Sequence, residues 1–312
     1  MAEDAPALHR ALLDGESAVN QEGTAWLARV PGHDGPRDLA HRAIRQVGSL
    51  PSDCWLLCAT SGSDPARDES PAPVKSLAQT LRDDLGLRGP AMTVQAACAS
   101  SLVALGMAAD LAASGQSTLV VAVDCISEMT RQGFASLGAL SRRGPAPLSE
   151  ERDGLALGEA AAAFLVQPAG GRVRIRGWGE ACDARGLSRP ASDGEGLRAA
   201  VAQACVVPPD LVVAHGTGTR LGDAAEAAVL APLDVHITGT KAAVGHCLGA
   251  ASGVDVALAM ACLQTGLVPP LAGVRTPILP VLQEPTLLNP TRILVAAAGV
   301  GGFDAAVLLE SA

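Results

Sequence analysis

From residue 54 to its end the chain alternates short aliphatic runs with helix-length stretches, and that rhythm limits it to few folds. The runs read as strands: "CWLLCAT" (54–60), "AMTVQAA" (91–97), "STLVVAVDC" (117–125), "AAAAFLVQP" (160–168), "RVRIRGWGEA" (172–181), "DLVVAHGTGT" (210–219), "VHITGT" (235–240), "RILVAAAGVGG" (292–302) and "FDAAVLLES" (303–311). Helical spacing is expected near 74–86, 99–114, 197–204, 223–231 and from about 250 to 265. A parallel strand pair needs a crossover of helix length, so this alternation implies α/β architecture with parallel sheets covered by helices. The two closing strands, "AAAAFLVQP" and "DAAVLLES", look alike, which hints at a duplicated unit. The first fifty residues add an amphipathic "ALHRALLDG" and a helical "RDLAHRAIRQVG" across a Gly/Pro-rich connection.

The core must be built from small side chains, since the chain has three Phe, three Trp and no Tyr among 312 residues. A net charge of −9 argues against nucleic acid, because no basic stripe is present to neutralise phosphates. The acidic start "MAEDAPALHR" lacks the apolar segment of a secretory signal. The longest apolar runs are broken by Gly, Asp or Pro short of a membrane span, so no membrane association is expected. Eight cysteines are scattered, with only a lone C-x3-C at Cys54 and Cys58. A reduced cytoplasmic enzyme without a bound metal fits better than a disulfide scaffold or a zinc site.

Four places carry candidate chemistry. Cys98 stands where a strand passes into "CASSLVAL", and a helix N-terminus would lower its thiol pKa; the alternative is an inert core thiol. His215 ends a buried strand beside the turn "GTGT", where parallel sheets bind ligands; the alternative is a turn-capping histidine. Lys241 and His246 share "TGTKAAVGHCLGAASG", and a lysine is unusual in a chain with only two, Lys75 and Lys241; a surface lysine near a loop histidine is the plain reading. The turn in "AAAGVGGFDA" has backbone N–H groups able to serve an oxyanion, or is a simple hairpin. Cys, His, Lys and His in this order, each at a strand end beside small residues, make the four plain readings together much weaker. No P-loop and no G-x-G-x-x-G between an early strand and helix is present.

The segments "AACASSLVAL", "HGTGTRLGDAAE" and "TKAAVGHCLGAASG" resemble the three active-site segments of the β-ketoacyl synthases, condensing enzymes of fatty acid and polyketide synthesis. "RDGLALGEAA" (152–161) and "GVGGFDA" (299–305) are similar to two further motifs of that family. The resemblance runs from about residue 50 to the end. It implies a thiolase-like fold: duplicated βαβαβαββ halves, residues 1–170 and 171–312, in five layers α-β-α-β-α. The family's opening strand, roughly V-T-G-x-G, has no counterpart here, so the N-terminal unit is expected to be trimmed.

By position, the resemblance makes Cys98 the acyl-accepting nucleophile and His215 and His246 the pair that drives decarboxylation. Lys241, together with Glu226, would fix and tune the second histidine, and Asp223, Thr217 and Thr219 would support the site. Backbone N–H groups of Cys98 and Val300 would form the oxyanion hole. The implied reaction is decarboxylative Claisen condensation of the Cys98-bound acyl chain with malonyl-acyl carrier protein. The alternatives are a chain-length-determining subunit of a heterodimer, and a decarboxylase or acyltransferase on the same scaffold. No cofactor is implied beyond the carrier protein's phosphopantetheine, which brings the acyl groups. The expected partners are an acyl carrier protein and either a second copy or a related subunit. Both carrier and chain are acidic, so docking needs local arginines, with Arg37, Arg42, Arg45, Arg142 and Arg143 as candidates. Three departures stand out: Val300 replaces the family's gating phenylalanine, Asp304 replaces an asparagine, and "APLS" (146–149) replaces R-P-F-D.

Overall fold

The computed structural model describes residues 4–62, 75–186 and 189–312. The chain enters through helix α1 (Ala5–Leu13) and a hairpin of β1 (Asn20–Glu22) and β2 (Ala25–Ala28), then helix α2 (Pro36–Ile44). Next come β3 (Trp55–Ala59), α3 (Leu77–Asp84), β4 (Ala91–Val94), α4 (Ser100–Ala113), β5 (Thr118–Asp124) and α5 (Glu128–Ser136). Two-residue β6 (Leu157–Gly158) pairs with β2, and β7 (Ala160–Val166) follows. The remainder runs through β8 (Val173–Cys182), α6 (Glu195–Ala204), β9 (Leu211–Val213), α7 (Arg220–Leu230) and β10 (His236–Thr238). It closes with α8 (Lys241–Val244), α9 (Ala251–Thr265), the short pair β11 (Leu267–Val268) and β12 (Thr286–Leu287), β13 (Arg292–Ala298) and β14 (Phe303–Ser311).

Two sheets dominate. The first has the order β4-β3-β5-β7, with β3 parallel to β4 and β5, and β7 antiparallel to β5. The second has the order β10-β9-β13-β14-β8, with β9 parallel to β10 and β13, and β14 antiparallel to β13. Superposing these orders matches β4 with β10, β3 with β9, β5 with β13 and β7 with β14. The fifth strand, β8, runs antiparallel on the outer edge of β14 and has no counterpart beside β7 among the described residues. The edge of β7 away from β5 therefore differs from that of β14. The difference is visible in burial: all seven residues of β7 are half-buried, whereas six consecutive residues of β14 are buried.

Period-two alternation sends each strand's side chains into two different cores. Outside the first sheet, Leu39 and Ile44 of α2 and Leu77 and Leu81 of α3 pack on Leu56, Cys58, Leu119 and Val121. Between the sheets, α4 and α9 bury Leu102, Leu105, Val254 and Leu258 against Leu57 and Val120 on one side and Val213, Val295 and Val307 on the other. Beyond the second sheet, Leu197 and Val201 of α6 and Val229 and Leu230 of α7 cover Val212, Leu294 and Leu308. The layers are therefore α-β-α-β-α. Small residues allow this close stacking: a Cβ on Gly106 of α4 would lie 2.2 Å from the ring of Trp178 on β8.

As the middle layer, α9 is apolar all round. Its helical run 248–265 is long and apolar enough to cross a membrane, contrary to the sequence-based expectation that no run is. It lies 72% buried inside the protein and carries buried Asp255, as a core helix does.

Candidate active site

Every candidate segment lies past the C-terminal end of a strand, where the sheet twist leaves a crevice. Cys98 sits in the turn from β4 to α4. The preceding Ala97 has φ of +48°, a left-handed conformation costing about 1–2 kcal/mol for a residue with a Cβ. Ser100 cinches that turn, its hydroxyl accepting from Ala96 N–H at 2.8 Å and donating to the Ala97 carbonyl at 2.6 Å. Ser252 of α9 donates to the Cys98 carbonyl at 3.3 Å, which ties the nucleophile's backbone to the central layer.

His215 follows β9. Glu226 of α7 accepts from the backbone N–H groups of His215 at 2.6 Å and Gly216 at 2.7 Å. The imidazole itself is left without a partner at either nitrogen and is 3% exposed. His246 lies beyond α8, and its Nδ1 accepts from Leu248 N–H at 3.0 Å. That bond makes Nε2 the protonated nitrogen, free to donate. The two rings meet edge to face with centroids 5.3 Å apart. One ligand-capable atom from each of Cys98, His215 and His246 lies within 4.8 Å of the others, a set whose chemistry would also suit a soft metal ion.

Burial and Lys241 together hold His215 well below the ordinary imidazole range and His246 down to about 3, so both rings are neutral at pH 7. The Cys98 thiol does not behave as its helix-start position implied. Desolvation pushes it up to about 11, opposed by the backbone N–H groups of Val300 and Cys98 itself and by the Lys241 charge. The helix supplies less than expected because α4 begins two residues later, and the thiol lies in a buried pocket.

Lys241 is buried, and its charge helps lower the pKa of the second histidine. Its ammonium donates to Asp255 of α9 at 2.7 Å, with Thr240 holding the other carboxylate oxygen at 2.6 Å. Glu226 is spent on backbone N–H groups, and the Lys241 charge acts on its carboxyl through space. Asp223 accepts from Leu148 N–H at 2.6 Å, Gly218 N–H at 3.0 Å and the Thr217 hydroxyl at 3.2 Å, fixing the "GTGT" turn; Thr219 caps α7. Asp124, absent from the sequence-based candidates, accepts from Thr60, Ser61, Gly62 and Gly249 and ties the ends of β3 and β5 to the segment entering α9. Buried Asp at a strand end among Gly and Ser was the only signal for it.

Cys98, both histidines, Thr217, Thr219, Glu226 and Val300 line one cavity of about 460 Å³. Leu137, Arg189, Arg220 and Leu221, all exposed, also line it. Among the arginines expected to dock a carrier, Arg37, Arg42 and Arg143 are committed to Asp84, Asp38 and Asp153. Arg45 and Arg142 are exposed, and none of the five lines the cavity. Arg189 and Arg220 were missed because each is a lone arginine in a polar loop or first helical turn.

A family model described as the β-ketoacyl synthase N-terminal domain matches residues 74–170, and one for its C-terminal domain matches residues 173–275. The chain is 31% identical over 257 residues to a putative β-ketoacyl synthase 1 of oxytetracycline polyketide synthesis from Streptomyces rimosus, covering 71% of this chain and 60% of the relative. It is 29% identical to 3-oxoacyl-[acyl-carrier-protein] synthase 2 of Vibrio cholerae, covering 65% of this chain and 56% of that one. The chain thus spans less than two thirds of these curated relatives. Among solved structures, a chain of the ketosynthase ApeO in complex with its chain length factor ApeC from Xenorhabdus doucetiae matches with a TM-score of 0.85 at 22% identity, covering 100% of this chain and 95% of that one.

Proposed function

Since the chain belongs to the β-ketoacyl synthase family, we propose that it condenses a Cys98-bound acyl chain with a malonyl unit on an acyl carrier protein. The observation that carries the reading is the convergence of Cys98 and two neutral imidazoles within 4.8 Å on one cavity. An acyl thioester of a carrier's phosphopantetheine loses its acyl group to the Cys98 sulfur, and the thiol proton passes to the departing pantetheine sulfur. The backbone N–H groups of Cys98 and Val300 hold the negative oxygen of that tetrahedral intermediate.

Malonyl carrier then enters. Its carboxylate leaves as CO2, and the electron pair moves onto the thioester as an enolate. Neutral imidazoles suit this step, because Nε2–H of His246 and an N–H of His215 donate to the enolate oxygen without surrendering a proton. The enolate carbon attacks the Cys98 thioester, the C–S bond breaks, and the thiolate takes up one proton. Lys241 holds the field at His246 and is itself held by Asp255. The phosphopantetheine arm belongs to the substrate, and the reading requires no resident cofactor.

The halves 1–170 and 171–312 act as one catalytic unit, the first bringing the nucleophile and the second both histidines. The carrier docks at the cavity beside Arg189, Arg220, Leu137 and Leu221. The chain pairs with a second copy or with a related ketosynthase-like subunit, and its eight cysteines, none of them in a disulfide, suit a reducing cytoplasm.

Reconstitution with acyl carrier and malonyl carrier, alone and with a ketosynthase-like subunit added, tests the proposal by product mass. A β-ketoacyl carrier supports it. Acetyl carrier and CO2 without a new carbon–carbon bond would make the protein a decarboxylase. No product in either mixture would make it a tunnel-shaping subunit.

A further inference from the structure

The backbone of His246 is paired to a strand that the N-terminal hairpin holds from its other edge. His246 N–H donates to the Ala156 carbonyl at 2.7 Å, and its carbonyl accepts from Gly158 N–H at 3.0 Å, a parallel rung opposite Leu157. On the far edge of that segment β2 runs parallel, with Leu27 beside Leu157 and Ala28 beside Gly158. The Ala28 carbonyl accepts from Glu159 N–H at 3.0 Å, and the Glu159 carboxylate accepts from Val30 N–H at 3.1 Å. Hairpin, β6 and His246 thus form one continuous ladder. It leaves no slack: a Cβ on Gly158 would lie 2.3 Å from the Val244 carbonyl oxygen, and one on Gly245 2.5 Å from that of Leu157.

A second route runs through side chains. Ala25 and Leu27 of β2 belong to one buried cluster with Leu155, Leu157 and Leu248. Leu248 has φ of +54°, a left-handed conformation that a residue with a Cβ keeps only where its surroundings hold it. In that conformation its N–H donates to His246 Nδ1 at 3.0 Å, which leaves the proton of the neutral ring on Nε2. A close-packed interior passes on the loss of even a few methylenes, so truncation within the cluster is felt at Leu248.

We infer that Leu27, with the hairpin that carries it, is a positioning residue for His246, fixing the place and the tautomer of its imidazole through β6 and Leu248. Cys98 hangs on other supports, the Ser100 hydroxyl in its turn and Ser252 of α9. The two chemical steps therefore separate: loss of Leu27 impairs the step that needs His246 and spares the acylation of Cys98. The kinetic half of this statement rests on the proposed condensing function, and the tautomer half does not.

The experiment compares wild type with Leu27→Ala, with the volume-conserving Leu27→Met, and with Leu81→Ala. Leu81 is a buried leucine of α3 outside the first sheet, and its truncation controls for lost stability alone. Acylation of Cys98 and CO2 release from malonyl carrier are timed separately. In Leu27→Ala, CO2 release is expected to fall about 10–100-fold and acylation by less than about twofold. Leu27→Met is expected to restore CO2 release, and Leu81→Ala to leave the ratio of the two rates unchanged. In parallel, nitrogen NMR of histidine-labelled protein is recorded at neutral pH without substrate, with His246 assigned by the loss of its signals in His246→Gln. One fixed tautomer keeps the Nδ1 and Nε2 resonances of His246 far apart in wild type, and they are expected to draw together in Leu27→Ala. If Leu27→Ala does not fold, the milder Leu27→Val takes its place, with smaller shifts in the same direction. Equal losses of both rates, or an unchanged pair of His246 resonances, would overturn the inference. If wild type neither takes up an acyl group nor releases CO2, the condensing function fails, and the resonances alone decide the positioning role.

Discussion

Lys241 Nζ lies 2.7 Å from Asp255 Oδ2, with the two side chains 3% and 0% exposed. Such a pair adds little over a well-packed apolar one, but removing one partner leaves a buried charge uncompensated. Lys241→Met is expected to cost about 3–5 kcal/mol in urea unfolding, and the double variant Lys241→Met, Asp255→Leu to regain most of it. A single variant within about 1 kcal/mol of wild type would show that the pair is not what satisfies Asp255.

Cys98 at rest is a thiol. Iodoacetamide labelling of this residue, followed by peptide mass spectrometry, is expected to rise about tenfold per pH unit from pH 7 to 9.5 with no plateau. A plateau near neutrality would mean a preformed thiolate and a different first step.

Asp304 links stability to pH. Its carboxyl is raised above the unfolded value of 3.8, so its contribution is whole below about that pH and is lost as pH climbs through about 7. Asp304→Asn is therefore expected to melt at a higher temperature than wild type at pH 8, and by a smaller margin at pH 5. Equal margins at both pH values, by calorimetry, would contradict the raised carboxyl.

Gly106→Ala drives a methyl group into the Trp178 ring and is expected to destabilise by about 1–3 kcal/mol. Pairing it with Trp178→Leu should recover part of the loss in thermal melts. Additive losses would place the strain elsewhere.

Val300 is 43% exposed at the cavity, where a phenylalanine would stand across the acyl path. Competition between short and long acyl carriers is expected to favour the short ones more strongly in Val300→Phe than in wild type. An unchanged preference would remove Val300 from chain selection.

The strands were legible because Ala, Val and Leu runs buried on both faces need no partner to be recognised, whereas the five layers were implied only by the family resemblance. Also legible were Cys98, His215, Lys241 and His246, each flagged by a turn of small residues. The hairpin 20–28 was not read, since "NQE" and "AWLA" are too short for a period and are ordered by β6. Nor was α5, whose "EMTRQGFAS" buries nothing and is set by its Ser127 cap. Asp255 sits in an apolar helix 14 residues beyond Lys241, and only the folding of α9 back beneath α8 brings the charges together. Burial also reversed the sign of the thiol shift, because a helix start says nothing about how much water reaches it.

Intact-protein mass spectrometry tests the central claim most directly. Wild type and Cys98→Ala are incubated with an acyl carrier thioester, and malonyl carrier is then added. The expected result is one acyl adduct on wild type, none on the variant, and loss of the adduct as β-ketoacyl carrier appears. An adduct on both proteins, or on neither even with a related subunit present, would contradict a nucleophilic Cys98.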